Sequence, residues 1–255
     1  KIFYIDYELN SKYIIQPDGL KVLANNSEPI WYSAWANQRL NLSLLLITLS
    51  ILSLALWKMD KLVQHNYIWK PFRYLFLGWI LIWLGFYAGG QVTIISILTW
   101  LTAPLYNPSW DVLLSDPILV SLMIFVIISF IIWGRGVFCG WLCPFGALQE
   151  LSAKLAQKLK VPQIKISNKW HVRLWPIKYF LLAGLVGTSF YSMASLNVAA
   201  EIEPFKTAIS MKFIREWYFI FYALMLLAIG LFIERFFCRF LCPLGAFMAV
   251  GGKLR

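Results

Sequence analysis

Cysteine is scarce in this chain, and it is placed twice in the same way. Cys139 and Cys143 are followed by Pro144; ninety-nine residues later Cys238 and Cys242 are followed by Pro243, and these are the four cysteines of the sequence. The surrounding blocks read FCGWLCPFGA and FCRFLCPLGA. The thiolate is the metal-binding form of cysteine, and iron–sulfur clusters are held by sets of four. A hydrophobic core has no reason to repeat a thiol together with its neighbours. Residues i and i+4 share a helical face, with Cβ atoms about 6 Å apart. That suits two thiolates on one metal or cluster and is too wide for a disulfide, whose Cβ atoms lie about 3.8 Å apart. Proline after the second cysteine predicts the end of the preceding helix and free backbone N–H groups nearby, donors that stabilise sulfur charge and tune a cluster's potential. Arg135, Arg235 and Arg239 are expected to lower the thiol pKa values by their charge.

Two thiolates leave a site half-ligated, whereas four complete a cluster or a tetrahedral metal site. The stoichiometry leaves two arrangements. Either Cys139, Cys143, Cys238 and Cys242 converge on one site, or each pair takes further ligands from elsewhere. The first is favoured because both motifs fall on one side of the chain's topology. A static zinc site and a purely structural role stand as alternatives, although nothing here needs a metal staple. His65 and His171 lie between apolar runs and read as solvated loop residues. With no histidine inside a run, a haem held between helices is disfavoured.

The elements that must position the cysteines are membrane helices. Of the 255 residues 60% are apolar, 17% aromatic and only 14% charged, where a soluble domain carries about 25% charged residues. Lipid must therefore cover much of the surface. Five apolar runs approach the roughly 20 residues that cross a hydrocarbon core, over about 42–57, 72–88, 118–133, 174–193 and 217–233. A sixth, 92–103, is too short to span. None of the five carries Asp, Glu or Lys at mid-depth, which argues against an ion or proton transporter. The expected fold is an all-α integral membrane protein, a five-span helical bundle with an interfacial amphipathic helix after each CxxxCP motif.

Orientation follows from the loops. The segments on the motif side hold 16 Lys and Arg, those on the other side 7, with net charges of +13 and −2. Basic residues favour the cytoplasmic side, so the N-terminus is expected outside, the C-terminus inside, and both motifs at the cytoplasmic face of a bacterial inner membrane. The same distribution explains the net charge of +11 without nucleic acid, since no basic groove with interleaved aromatics appears.

Residues 1–40 read as an external leader or linker, with short strands over 1–9 and 20–23 around the turn Pro17-Asp18-Gly19, and residues 41–255 as the membrane core. A chain opening on Lys1 reads as an excerpt of a longer protein. The external loop 91–117 carries Trp100, Tyr106 and Trp110 as interface anchors. After Pro144, the residues Leu148, Leu151, Leu155 and Leu159 share one face while Lys154 and Lys158 lie off it. This predicts an amphipathic helix on the inner leaflet, and a shorter version follows Pro243.

In four segments, GRGVFCGWLCPFGALQEL, WHVRLWPIKYFLLAGL, EIEPFKTAI and ERFFCRFLCPLGAFMA, the chain resembles the NosR/NirI family of membrane flavo-iron–sulfur proteins. It resembles the polyferredoxin-like NapH membrane proteins more distantly. The resemblance covers roughly residues 40–255. It implies a membrane core passing electrons from a quinol or a cytoplasmic reductant towards an external FMN domain, in support of nitrous oxide reductase or its maturation during denitrification. It also implies a cytoplasmic domain with two 4Fe-4S clusters. FMN and those two clusters belong to domains for which this sequence offers no residues. The rival reading is a membrane scaffold or regulator whose metal site is static.

Overall fold

The computed structural model describes residues 30–252 apart from 65, 99, 101–113, 115, 135, 165–166 and 192–202. Every regular element among the described residues is helical, as the apolar runs require. The two short strands, His65, Arg135 and the aromatic loop beyond Trp100 lie outside the described residues.

Helix α1 (Ile30–Asn37) leads into α2 (Arg39–Trp57), and α3 (Met59–Gln64) into α4 (Asn66–Trp79), which continues as a wider π-helical stretch from Ile80 to Tyr87. Then come α5 (Pro117–Ile132), a π-type turn over Phe138–Leu142, α6 (Pro144–Lys158), α7 (Asn168–Leu174) and α8 (Ile177–Tyr191). A second π-type turn, Lys206–Ser210, precedes α9 (Trp217–Phe232), α10 (Phe236–Phe240) and α11 (Pro243–Gly251). By length and composition, α2 is the one helix among the described residues able to cross a membrane; α5 and α9 are apolar throughout but 16 residues long.

The outward faces are apolar. Leu46, Ile47, Ile51 and Leu54 on α2, Ile124, Ile127, Ile128 and Ile131 on α5, and Phe221, Leu224 and Met225 on α9 are all exposed. Within α2 the hydroxyls of Thr48, Ser50 and Ser53 donate back to carbonyls four residues earlier at 2.8–2.9 Å. These polar atoms are thereby satisfied inside their own helix, as an apolar surround demands.

Inside, two aromatic clusters brace the motifs. Trp141, between the first pair of cysteines, packs against Trp69, Phe72 and Phe76 of α4 with centroids 5.4–6.4 Å apart. Phe145, Phe205 and Phe237 form a closed triad with centroids 5.1–5.6 Å apart, and all three are almost fully buried. Phe145 follows the first motif's proline and Phe237 precedes the second motif's first cysteine. Phe205 comes from the segment that the charge pattern assigns to the opposite side. Its neighbours Ala208 and Ile209 are likewise buried, so this short apolar stretch folds inward until it touches both motifs.

Helix α6 forms where the leucine periodicity places it, and the leucine stripe divides, with Leu148 packed against the core and Leu151 half-buried. Leu155 and Leu159 point outward, while Phe145, Ala147, Gln149, Glu150, Ala153 and Ala156 are buried against α9, α4 and the π stretch that follows it. Small residues let α6 lie close to its neighbours. At Gly85 a Cβ would meet Pro144 Cβ at 3.0 Å and Ile209 at 3.5 Å, whereas at Gly78 it would meet nothing within 4 Å. Gly85→Val should therefore lower the thermal midpoint of the detergent-solubilised protein, by an overpacking cost of about 1–3 kcal/mol. Gly78→Val should leave it nearly unchanged, and equal midpoints for the two variants would refute the close approach of Pro144.

Candidate metal centre

Each motif is built locally by the same interactions. The apolar helices stop before the cysteines, α5 at Ile132 and α9 at Phe232, because Gly134 (φ +86°) and Arg235 (φ +54°) take left-handed backbone. The motif is thus a separate turn rather than the last turn of a spanning helix. In both copies the second cysteine's N–H reaches back five residues at 2.9 Å, Cys143 to Phe138 and Cys242 to Phe237. That cysteine then turns extended, with φ/ψ of −74°/112° and −69°/112°, and becomes the N-cap of the next helix. Its proline occupies the first helical position, where no N–H is needed.

As an N-cap, each second cysteine accepts a hydrogen bond on sulfur. Gly146 N–H donates to Cys143 Sγ at 3.4 Å and Gly245 N–H to Cys242 Sγ at 3.3 Å. Glycine permits the tight first turn: a Cβ at Gly146 would lie 3.3 Å from Cys139 O, and one at Gly245 3.5 Å from Cys238 O. The positive ends of the α6 and α11 dipoles point at these sulfurs. Two copies agreeing to about a tenth of an ångström make the repeat one of structure as well as sequence.

The two motifs face one another. Cys139 and Cys238 line one cavity of about 290 Å³ with His171, Trp175 and Lys178, and an adjoining one of about 350 Å³ with Glu234 and Arg235. Burial pushes the Cys143 thiol up to about 12, helped by the charge of Cys139 and opposed by the Gly146 and Phe145 amides and by Arg235. Burial likewise raises Cys238, which feels both Cys143 and Cys139, and Cys242, which feels Cys238, Cys139 and Glu203. The expectation that the arginines would set the sign is thus corrected. Arg235 does lower Cys143 and Cys238, but desolvation of a thiolate in an apolar bundle outweighs it. A metal must displace protons to bind here.

Among the described residues, no three His, Cys, Asp or Glu side chains stand close enough to grip a bare ion. Cys139 and Cys238 line the shared cavities while Cys143 and Cys242 are buried behind them, a spread that suits a multi-atom cluster better than a single tetrahedral ion, whose bonds to sulfur are only about 2.3 Å. Cysteine-only donors and N–H groups aimed at sulfur are what an iron–sulfur cluster uses. The residues present therefore fit such a group.

Three participants escape a reading of motifs alone. His171 lies not in free solvent but in the wall of the cavity, edge-on to Phe240 with centroids 5.5 Å apart. Glu150, on the buried face of α6, pairs with Arg235 and with Arg73 at 3.1 Å. Glu203 is 2% exposed; burial raises its pKa to about 8, opposed by the Ile94 amide. Only a helical-face argument at Glu150, placing it beside Leu151 off the leucine stripe, could have singled one out beforehand.

Fold and site together define an all-helical iron–sulfur binding domain. A family model described as a 4Fe-4S binding domain matches residues 115–162 and 216–255, each containing one motif. The chain is 40% identical to the regulatory protein NosR of Stutzerimonas stutzeri and 41% identical to that of Pseudomonas aeruginosa, over 99% of this chain and 36% of each relative. It is 43% identical to the protein NirI of Paracoccus denitrificans, over 94% of this chain and 35% of that one. The chain belongs to the NosR/NirI family, and it spans about a third of the length of these relatives. No solved structure matches it.

Cys143 and Cys242 are 7% and 6% exposed, while Cys139 and Cys238 line the cavities. In the metal-free protein, a small alkylating reagent should modify Cys139 and Cys238 first. Cys143 and Cys242 should react only on unfolding. Peptide mass spectrometry reads the order, and simultaneous modification of all four would contradict the capped geometry.

Proposed function

We propose that this domain is a membrane electron-transfer unit in which Cys139, Cys143, Cys238 and Cys242 together hold one iron–sulfur cluster. The single observation that carries the reading is the convergence of two matching motifs on shared cavities, in a chain of the NosR/NirI family. A cluster bound there supplies one-electron storage. The chain's own residues would ligate it, shield it behind the Phe145–Phe205–Phe237 triad, and stabilise sulfur charge through the Gly146 and Gly245 amides.

The domain is a five-span core in the bacterial inner membrane, with the N-terminus periplasmic and the C-terminus cytoplasmic. The apolar outward faces of α2, α5 and α9 support membrane residence, and the charge asymmetry of the loops supports the orientation. Residues 1–40 link it to an external domain, and 41–255 form the core. Electrons pass from a quinol or a cytoplasmic donor towards an external flavin, serving nitrous oxide reductase or its maturation in denitrification. FMN and two further 4Fe-4S clusters belong to regions outside this chain. The inward fold of 203–210 supports passage, because it brings a segment assigned to the external side into contact with both motifs. A second reading, a regulator with a static metal site, is favoured by the word regulatory in the name of the NosR relatives.

Iron and sulfide analysis with redox spectroscopy tests both. Purified protein should contain iron and sulfide and bleach with dithionite, whereas a colourless zinc protein would support the static reading. Cys139→Ser and Cys242→Ser should each bring iron towards zero; half the iron remaining in each would mean two independent sites. Topology is tested separately. An impermeant thiol reagent should label a cysteine introduced at Ser109 from outside, and one introduced at Ser167 only after permeabilisation. The reverse pattern would invert the orientation.

A further inference from the structure

The two motifs match in their cysteine turns but not in charge, nor in how the backbone enters them: Arg235 is left-handed, whereas Gly136 is helical and the left-handed residue of the first copy is Gly134. At the ninety-nine-residue offset of the repeat, Arg235 corresponds to Gly136 and Glu150 to Ala249. On one side of the site, therefore, Arg235 is paired with Glu150. On the related side, Gly136 and Ala249 line the open cavity with no charge of their own. The copy bearing Gly136 and Ala249 forms the same hydrogen bonds, the reach-back to Phe138 and the amide donated to sulfur, as the copy bearing Arg235. Folding a motif thus does not require the arginine at that place.

Arg235 is moreover the less comfortable choice for its backbone. Its φ of +54° lies in the left-handed region, where glycine is the easy occupant. Its side chain is what this position retains. The guanidinium is bonded to Glu150, 7% exposed at its side chain, and the residue lines a cavity with Cys139 and Cys238. Glu150 is itself fixed by a second arginine, Arg73, which lies over the ring of Trp141 at 5.4 Å. Two guanidiniums around one carboxylate leave one positive charge in excess.

We propose that Arg235 sets the electrostatic environment of the metal site, and that Glu150 is a positioning residue that holds it there. The proposal rests on the four-cysteine site proposed above. A thiolate-ligated cluster is anionic, and nearby positive charge favours its reduced, more negative state, since net charge and hydrogen bonding set cluster potentials. Arg235 therefore raises the midpoint potential. The open side has no such pair at Gly136 and Ala249, and the cavity there takes its positive charge from Lys178 and Arg239 in its wall.

The test is a redox titration, read by absorbance and paramagnetic resonance, on the full chain in detergent. Arg235→Gln should keep its iron and show a midpoint lowered by at least the equivalent of a tenfold change in the one-electron equilibrium, about 59 mV. Arg235→Lys, which keeps the charge, should stay close to wild type. The double variant Arg235→Gly with Glu150→Ala reproduces the other copy's residues and should bind iron with a lowered midpoint. Glu150→Gln should shift the midpoint differently in the wild type and in Arg235→Gln, because its effect runs through the arginine; equal shifts would reject the positioning role. An iron-loaded Arg235→Gln with the wild-type midpoint would overturn the electrostatic role. So would loss of iron in Arg235→Gln but not in Arg235→Lys, which would make the pair a structural brace. Absence of iron from the wild type would instead sink the four-cysteine site itself.

Discussion

Thiolate charge in an apolar bundle is the constraint on which the rest of this structure depends. Taking an ionised group out of water is costly unless donors meet it, and the raised Cys143, Cys238 and Cys242 thiols register that cost directly. The chain answers it by geometry. Stopping the apolar helix early allows a short turn, and that turn lets the second cysteine become an N-cap. An N-cap faces unpaired N–H groups and the positive end of a helix dipole. Proline at the first position and glycine at the third are the residue types that such a start needs. The CxxxCPxG pattern is thus one solution to burying sulfur charge, and the chain contains it twice.

On the shared-site proposal, each copy supplies half of what a cluster needs. One cap offers two thiols and one directed amide; two facing caps offer four thiols and two. The aromatic triad explains how the halves are held in register. Phe145 belongs to the first copy, Phe237 to the second, and Phe205 to neither. A third element wedged between both copies fixes their separation more firmly than either could alone. The Glu150–Arg235 pair does the same on the polar side, running from the helix after the first motif to the residue before the second.

Much of this was legible beforehand, for identifiable reasons. The cysteines, the prolines and the all-helical fold are local features, written in spacing and composition. The position of α6 and the outward side at Leu155 and Leu159 followed from its leucine period, but the inward packing of Leu148 did not. A leucine stripe reads as core-facing in water and as lipid-facing beside a membrane, and here Leu155 and Leu159 face out while Ala153 and Ala156 pack in. The net direction of the thiol pKa shifts was misjudged because charges can be counted in a sequence and desolvation cannot. The inward path of 203–210 was hidden for a related reason. Loop charges assign a segment to a side but do not reveal that Pro204, Phe205, Ala208 and Ile209 pack inward while Lys206 between them stays exposed.

That inward path bears on the site. Phe205 packs against residues next to both motifs and Glu203 contributes to the rise of Cys242, so this segment is part of the site's surroundings. Burial holds Glu203 mainly as the neutral acid at neutral pH, which lowers the cost of keeping it inside, and it sits in the segment whose Phe205 packs against the second motif's Phe237. Its placement there follows from the chain's geometry: the apolar residues that pull the segment inward begin immediately after it, so Glu203 is carried in with them.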